Sequence, residues 1–271
     1  MKKLFYIVLT LSLFSCSTND DSVENIQTDP EPNRGYVFEM DQRFPLKSPE
    51  LYYQFTYENG RLTNMLGRYY PSYLGIGYFN ANVLTQLTYT QNTVQINYLE
   101  AEGVAGYKTV TYLMDHNRPI KFEQYQNYPG YPSYLERSKS YTYEQDKITI
   151  YEKRGGWELY TFYYFNNQKN LIKSETLEKT GGVDNKVTTT IYSDYDTAKN
   201  PFRKLYLVNE DFYEKGLSAN NFRAKKTTSQ YLPTPANGNM TYPPGYANSE
   251  WTYNYDSNGQ VLLYFPLKKI E

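Results

Sequence analysis

The side chains best suited to acid–base, nucleophilic or metal chemistry are scarce in this chain. Its 271 residues include one His and one Cys. His116 stands in Asp115-His116-Asn117-Arg118-Pro119, a turn by composition, where an imidazole is ordinarily solvated. A Ser-His-Asp or Cys-His constellation would have only this one imidazole to draw on. Zinc sites built from His and Cys need several such ligands. The acids Glu58, Asp115, Glu144, Asp196 and Asp256 fall at turn tips. A pair of them in one cleft would suit glycoside hydrolysis, but spread along an edge they stabilise turns and keep strand edges soluble. A calcium cage would need about 6–8 oxygens in fixed positions. The phosphate-cradling, dinucleotide and EF-hand motifs are all missing from the sequence. The sequence therefore assigns no catalytic residue, no metal ligand and no cofactor.

Charge excludes a further class. Lys and Arg number 28 against 29 Asp and Glu, without the basic excess or stripe of a nucleic-acid binder. Arg223-Ala224-Lys225-Lys226 is a short basic patch that reads as a solvated face.

The one cysteine has a specific setting. Lys2 and Lys3 precede an apolar run from Leu4 to Phe14, and Cys16 follows at once in Leu13-Phe14-Ser15-Cys16. The run is too short for a bilayer span of about 20 residues and suits a secretory signal. The segment resembles a bacterial lipobox, which implies that Cys16 is lipidated and becomes the first residue of the mature protein. An ordinary signal with an incidental Cys is the alternative. Residues 17–24, Ser-Thr-Asn-Asp-Asp-Ser-Val-Glu, resemble the acidic signals that send lipoproteins of Bacteroidota-type bacteria to the outer face of the outer membrane. We therefore expect a signal peptide over 1–15, a lipidated Cys16 with a flexible acidic and Pro-containing tether over 16–35, and one folded domain over 36–271. The membrane, reached through the lipid, is the first expected partner.

The elements that position everything else are written in tyrosine. Hydrophobic residues make up only 39 % of the chain, yet there are 33 Tyr, so Tyr must serve as the main apolar material. An alternating strand ends in Tyr and often an acid, a turn follows, and a second strand returns. The clearest copies are Tyr53-Gln54-Phe55-Thr56-Tyr57-Glu58-Asn59-Gly60-Arg61-Leu62 and Trp251-Thr252-Tyr253-Asn254-Tyr255-Asp256-Ser257-Asn258-Gly259-Gln260-Val261. Asn-Gly between alternating strands is a strong hairpin signal, because both turn residues need positive φ. A two-residue loop at Asn258-Gly259 would set Tyr255 opposite Leu262 and Tyr253 opposite Tyr264. Weaker copies end at Tyr89, Met114, Tyr143, Phe165 and Tyr195.

This phrase resembles the YD repeat of RHS-type proteins, and more closely a group of Bacteroidota lipoproteins built from YD-like hairpins. Asp196-Thr197-Ala198-Lys199-Asn200-Pro201-Phe202 and Ser218-Ala219-Asn220-Asn221 are similar to that group's D-x-x-K-N-P-F and S-x-N-N phrases. The resemblance implies an antiparallel β fold and a cell-envelope location, and carries over no activity. On the pattern itself the fold class is all-β: a meander of roughly 14 strands, strongly twisted or rolled because a flat open sheet of that size is unusual. One short helical insertion is expected near 209–221, weakened by Gly216.

Three connections share an aromatic composition. Tyr70-Pro71-Ser72-Tyr73-Leu74 recurs as Tyr131-Pro132-Ser133-Tyr134-Leu135, the second preceded by Tyr128-Pro129-Gly130, and the third is Tyr242-Pro243-Pro244-Gly245-Tyr246. In a meander the tight turns lie along one edge and these return connections along the other. The candidate ligand-binding residues are therefore Tyr70, Tyr73, Tyr128, Tyr131, Tyr134, Tyr242 and Tyr246, because rigid Tyr faces with polar tips suit sugar rings or a partner protein. The alternative is that the loops fold back and cap the sheet. The function expected is a surface-exposed outer-membrane lipoprotein acting as a non-catalytic binding module for a glycan or envelope protein. A passive structural protein and a carbohydrate-active enzyme are the alternatives.

Overall fold

The computed structural model describes residues 29–41, 44–70, 78–99, 107–208, 210–265 and 268–269. Cys16, the signal sequence, residues 16–28 and Tyr73 lie outside the described residues. The described chain forms 17 strand segments. The first seven are β1 (Arg34–Asp41), β2 (Phe44–Glu58), β3 (Arg61–Tyr70), β4 (Tyr78–Tyr89), β5 (Thr93–Leu99), β6 (Tyr107–Asp115) and β7 (Arg118–Asn127). Then come β8 (Tyr134–Tyr143), β9 (Lys147–Arg154), β10 (Trp157–Phe165), β11 (Leu171–Thr180), β12 (Val183–Lys199) and β13 (Asn220–Tyr231). β14 (Gly245–Thr252), β15 (Asn254–Tyr255), β16 (Val261–Phe265) and β17 (Lys268–Lys269) complete the set, with one helix, α1 (Glu210–Gly216).

Turn chemistry sets the meander. Asn59 and Gly60 take φ of 49° and 73°, and Glu58 pairs with Arg61 across them. His116 and Asn117 do the same at 45° and 60° between Asp115 and Arg118. Both are two-residue loops with positive φ at each centre, whose twist matches that of the strands. Each strand from β1 to β14 is paired antiparallel with the next. β15 continues β14 past Tyr253 and pairs with β16. β16 then runs parallel to β1, with Gly35 opposite Leu263. The sheet is thereby rolled into a nearly closed barrel, which leaves few unpaired strand edges.

The last hairpin departs from expectation by one residue. Asn254 pairs with Leu262 and Tyr255 with Val261. The Asp256 carboxylate accepts from the amides of Asn258 and Gln260, at 2.8 and 2.9 Å, and so lengthens the loop to residues 256–260. Tyr253 is buried, whereas Tyr255, beside the loop, is exposed.

The core is inside the barrel. Leu87, Ile96, Val110, Tyr112, Phe122 and Ile150 belong to one buried cluster that faces the lumen from successive strands. The outer face is mixed, with Leu66, Leu113, Ile172 and Ile191 exposed on it beside charged residues. One register row around it reads Glu123, Ser138, Lys153, Glu158 and Lys179. A barrel whose strands cross a bilayer carries an outward apolar band instead. The lumen wall also has polar stretches: the hydroxyls of Thr161 and Thr176 lie 3.1 Å apart, and those of Thr190 and Thr227 3.0 Å apart.

The connection between β12 and β13 folds into the lumen as a plug and joins the buried cluster. It contains a single 3₁₀ turn, Pro201–Lys204, and then α1, so its helical piece is shorter than the expected 209–221. Phe202, Leu205, Leu207, Val208, Phe212 and Tyr213 are buried in it. Gly216 is a requirement of this packing, since a Cβ there would lie 2.8 Å from the Phe202 carbonyl oxygen. The wall grips the plug from several sides. Tyr112 donates its hydroxyl to Leu207 O at 3.3 Å, and Lys204 donates to Gly60 O at 2.6 Å. Glu210 is bonded by Arg137 and, at 2.5 Å, by Lys139. The two motif phrases clamp the plug ends together. The Asn200 amide group donates to Lys215 O at 2.7 Å and Ser218 O at 2.8 Å, while its oxygen accepts from the Phe202 amide at 2.9 Å. Asn221 donates through its side chain to both Asp196 oxygens, at 3.0 and 3.1 Å.

Candidate binding surfaces

Strand-end tyrosines organise the tight-turn rim. Tyr89 donates its hydroxyl to Leu62 O at 2.8 Å, Tyr143 to Pro119 O at 2.8 Å and Tyr195 to Leu171 O at 2.6 Å. Each ring thus reaches back to the carbonyl just after the turn of the preceding hairpin. Tyr57 makes the same contact with Pro32 O at 3.0 Å, and Tyr253 with Phe222 O at 3.3 Å. Burial raises the pKa of Tyr89, Tyr143 and Tyr195 to about 12 each. Met114 and Phe165 occupy the equivalent places in two hairpins and have no hydroxyl to offer.

Between this rim and the plug lies an open bowl of about 2340 Å³. Its wall is built from turn residues such as Asn59, Gln91, Asn117 and Asn258, and its floor from plug residues such as Tyr206 and Leu217. Seven Arg and Lys line it against four Asp and Glu, and two of the cations pair with acids outside it, Arg223 with Asp194 at 2.6 Å and Lys204 with Glu31 at 3.5 Å. All four acids are engaged. Asp29 pairs with Arg203 at 3.3 Å, Asp115 contacts His116 at 2.8 Å and Glu144 pairs with Lys147 at 3.1 Å. Asp196 holds Asn221 and accepts from the Tyr255 hydroxyl at 2.8 Å. By contrast, Arg61 and Arg118 lie over the rings of Tyr89 and Tyr143, at 5.4 and 5.5 Å, and neither meets a carboxylate among the described residues.

The chain enters the barrel at this same end. Besides the Asp29–Arg203 pair, Glu31 lies 3.5 Å from Lys204, and the Phe55 amide donates to Asn33 O at 3.0 Å. His116 sits at a turn tip in the bowl wall with its side chain 92 % exposed.

Two of the three Tyr-Pro connections, β7–β8 and β13–β14, occupy the opposite rim. Tyr131 and Tyr246 are 76 % and 75 % exposed, and Tyr128, Tyr134 and Tyr242 are exposed as well. Tyr131 and Tyr246 are the most open of these rings, while Tyr128 and Tyr242 sit against tyrosines at strand ends. Tyr128 stacks on Tyr134 with centroids 6.4 Å apart, and Tyr231 meets Tyr242 edge-on at 6.0 Å. The β7–β8 and β13–β14 connections are six strands apart, roughly 30 Å along the sheet at ~4.8 Å per strand. The topology therefore brings the two groups to one rim but not into one patch. Tyr70 ends β3, and the third connection, with Tyr73, lies outside the described residues.

The sequence reading missed the bowl. Its arginines and tyrosines come from different hairpins, with Arg61 28 positions before Tyr89 and Arg118 25 before Tyr143. The available signal was local: Arg follows the turn pair in both Asn59-Gly60-Arg61 and His116-Asn117-Arg118.

No protein-family model matches the chain, and no curated protein matches it. Among solved structures it is similar to a crystal structure described as a porin-like protein from Bacteroides vulgatus ATCC 8482. The TM-score is 0.50, with 13 % sequence identity over 82 % of this chain and 92 % of that one. The likeness is one of fold, a meander rolled into a barrel.

Proposed function

We propose that the chain is a lipid-anchored protein of the outer membrane whose barrel stands in water and works as a non-catalytic binding module. One observation carries this reading: the sidedness of the barrel, with Tyr112, Phe122 and Ile150 facing in and Glu123, Lys153, Glu158 and Lys179 facing out. A sheet with charges on its outer row is stable in water and costly to place in hydrocarbon. Attachment then falls to Cys16 and its lipid. The fold likeness to a porin-like protein and the lipobox-like segment both agree with an outer-membrane address. The tether joins the barrel at the bowl end, so the Tyr-Pro rim points away from the anchor. Its exposed pairs around Tyr131 and Tyr246 are the surface offered to a glycan or envelope protein.

The test combines a glycan array with a pull-down from envelope extract, using the wild type and the double variant Tyr131→Ala, Tyr246→Ala. Both side chains are exposed, so the variant should melt with the wild type. Loss of captured ligand in the folded variant supports the reading. Capture undiminished by the variant contradicts the role of this rim.

A further inference from the structure

We infer that the bowl at the anchor end is a second binding site, for a saccharide bearing carboxylate or phosphate groups. The inference goes beyond the Tyr-Pro rim and uses none of its residues. Charge is the first argument. The acids of the bowl are each engaged by a partner, whereas the guanidiniums of Arg61 and Arg118 have no carboxylate among the described residues. Asp115 faces Arg118 across its turn in the ladder but spends its contact on His116. Glu58 likewise faces Arg61 without forming an ion pair. Guanidinium forks of this kind take carboxylate or phosphate oxygens in paired hydrogen bonds.

Preorganisation is the second argument. Each guanidinium lies over a ring that is fixed by its own hydroxyl, Tyr89 to Leu62 O and Tyr143 to Pro119 O. Tyr206 is fixed in the same way, donating to Asn117 O at 3.0 Å. Little side-chain freedom is then lost when a ligand binds. Size and lining are the third argument. About 2340 Å³ exceeds the ~300–1,000 Å³ of a drug-sized pocket and leaves room for several sugar rings. Rim amides, among them Asn59, Gln91 and Gln145, offer both donors and acceptors to hydroxyl groups.

The experiment uses the full-length protein in detergent and titrates three probes by calorimetry. These are an oligogalacturonate, a neutral maltooligosaccharide of equal length, and vesicles with or without a phosphorylated glycolipid. The comparison variant is Arg61→Gln, Arg118→Gln, checked by thermal melting. The wild type should bind an anionic probe in preference to the neutral one, and the double variant should lose about 100-fold, roughly tenfold per charge-assisted contact. Preference for the soluble oligogalacturonate would assign a free acidic glycan as the source. Preference for the glycolipid vesicles would assign a membrane-borne one. Equal binding of neutral and anionic sugar, no binding of any probe, or full retention in the folded variant would overturn the inference. Each of those outcomes leaves the Tyr-Pro rim untouched, because Tyr131→Ala and Tyr246→Ala are scored separately.

Discussion

Tyr143 donates its hydroxyl to the carbonyl oxygen of Pro119 at 2.8 Å, from the end of one hairpin to the beginning of the return strand in the hairpin before it. The same link joins Tyr89 to Leu62 and Tyr195 to Leu171. Tyrosine in this place fills the lumen with its ring and satisfies a rim carbonyl with its tip, a task that Phe cannot perform.

Removing the hydroxyl should therefore cost stability without changing the fold. Tyr143→Phe is expected to lose about 1 kcal/mol, the ordinary net value of one such bond. Tyr195→Phe should lose more, since its hydroxyl reaches both Leu171 O and Tyr192 O. Urea unfolding monitored by fluorescence measures both. Tyr131→Phe, at an exposed position whose hydroxyl meets no partner among the described residues, is the control and should be neutral within ~0.5 kcal/mol.

The plug is held at its ends by Asn200. Asn200→Ala would strand the Ser218 carbonyl and the Phe202 amide in a buried setting and leave the Lys215 carbonyl only the Ser218 amide. A loss of about 2–4 kcal/mol is expected, against less than ~1 kcal/mol for Asn258→Ala on the exposed rim. Differential scanning calorimetry of the two variants separates them. An equal change in both would remove the plug clamp from the account.

Gly216→Ala should destabilise by about 1–3 kcal/mol, because its Cβ would press on the Phe202 carbonyl and on Tyr206. Gly156→Ala meets open space, at a residue outside the positive-φ set, and should fall within ~0.5 kcal/mol of wild type. Equilibrium unfolding of the pair tests whether the plug packs this closely.

Alkali should unfold the barrel through its tyrosines. Tyr89, Tyr143 and Tyr195 ionise near 10 in the unfolded chain and at about 12 in the folded one. Between those values the folded state holds more protons than the unfolded state, so stability falls as pH rises. The contribution is complete below pH 10 and lost as pH passes 12. Tyr89 and Tyr143 each add up to ~1.4 kcal/mol per pH unit to the slope inside that window, and the half-exposed Tyr195 adds less. Denaturant midpoints at pH 8, 10 and 11, paired with a phenolate absorbance titration, give the slope directly. A flat profile up to pH 11 would contradict the burial of these hydroxyls.

The local parts of this fold are readable from the chain. Asn59-Gly60 calls for a two-residue turn on its own φ requirements, and the alternating Tyr strands call for a meander. Asp196 and Asn200 at one phrase, Ser218 and Asn221 at the other, were visible as motifs, although their mutual clamp needed coordinates. What escaped sequence reading is long-range or depends on competition. Pairing of Gly35 with Leu263 closes the barrel across more than 200 positions and leaves no local trace. The Asp256 carboxylate, by capturing the Asn258 and Gln260 amides, overrode the Asn-Gly signal and set Tyr255 opposite Val261 where Leu262 was expected. Gly216 read as a weak helix residue, because the close approach of Phe202 was not in the sequence pattern. The two described Tyr-Pro connections lie on the rim that counting turns gives them, six strands apart.

The most direct test of the central claim is the environment of the outer face when the protein is attached to a membrane. Thr149 lies between buried Ile148 and Ile150 on β9 and faces outward at mid-strand. With Cys16 carrying the lipid, Thr149→Cys supplies the sole thiol for a nitroxide label in the 271-residue chain. Collision of that label with a water-soluble nickel chelate and with oxygen is then measured in proteoliposomes. A barrel standing in water predicts strong relaxation by the chelate and little by oxygen. Strong oxygen relaxation with the chelate excluded would place Thr149 in hydrocarbon and contradict the account.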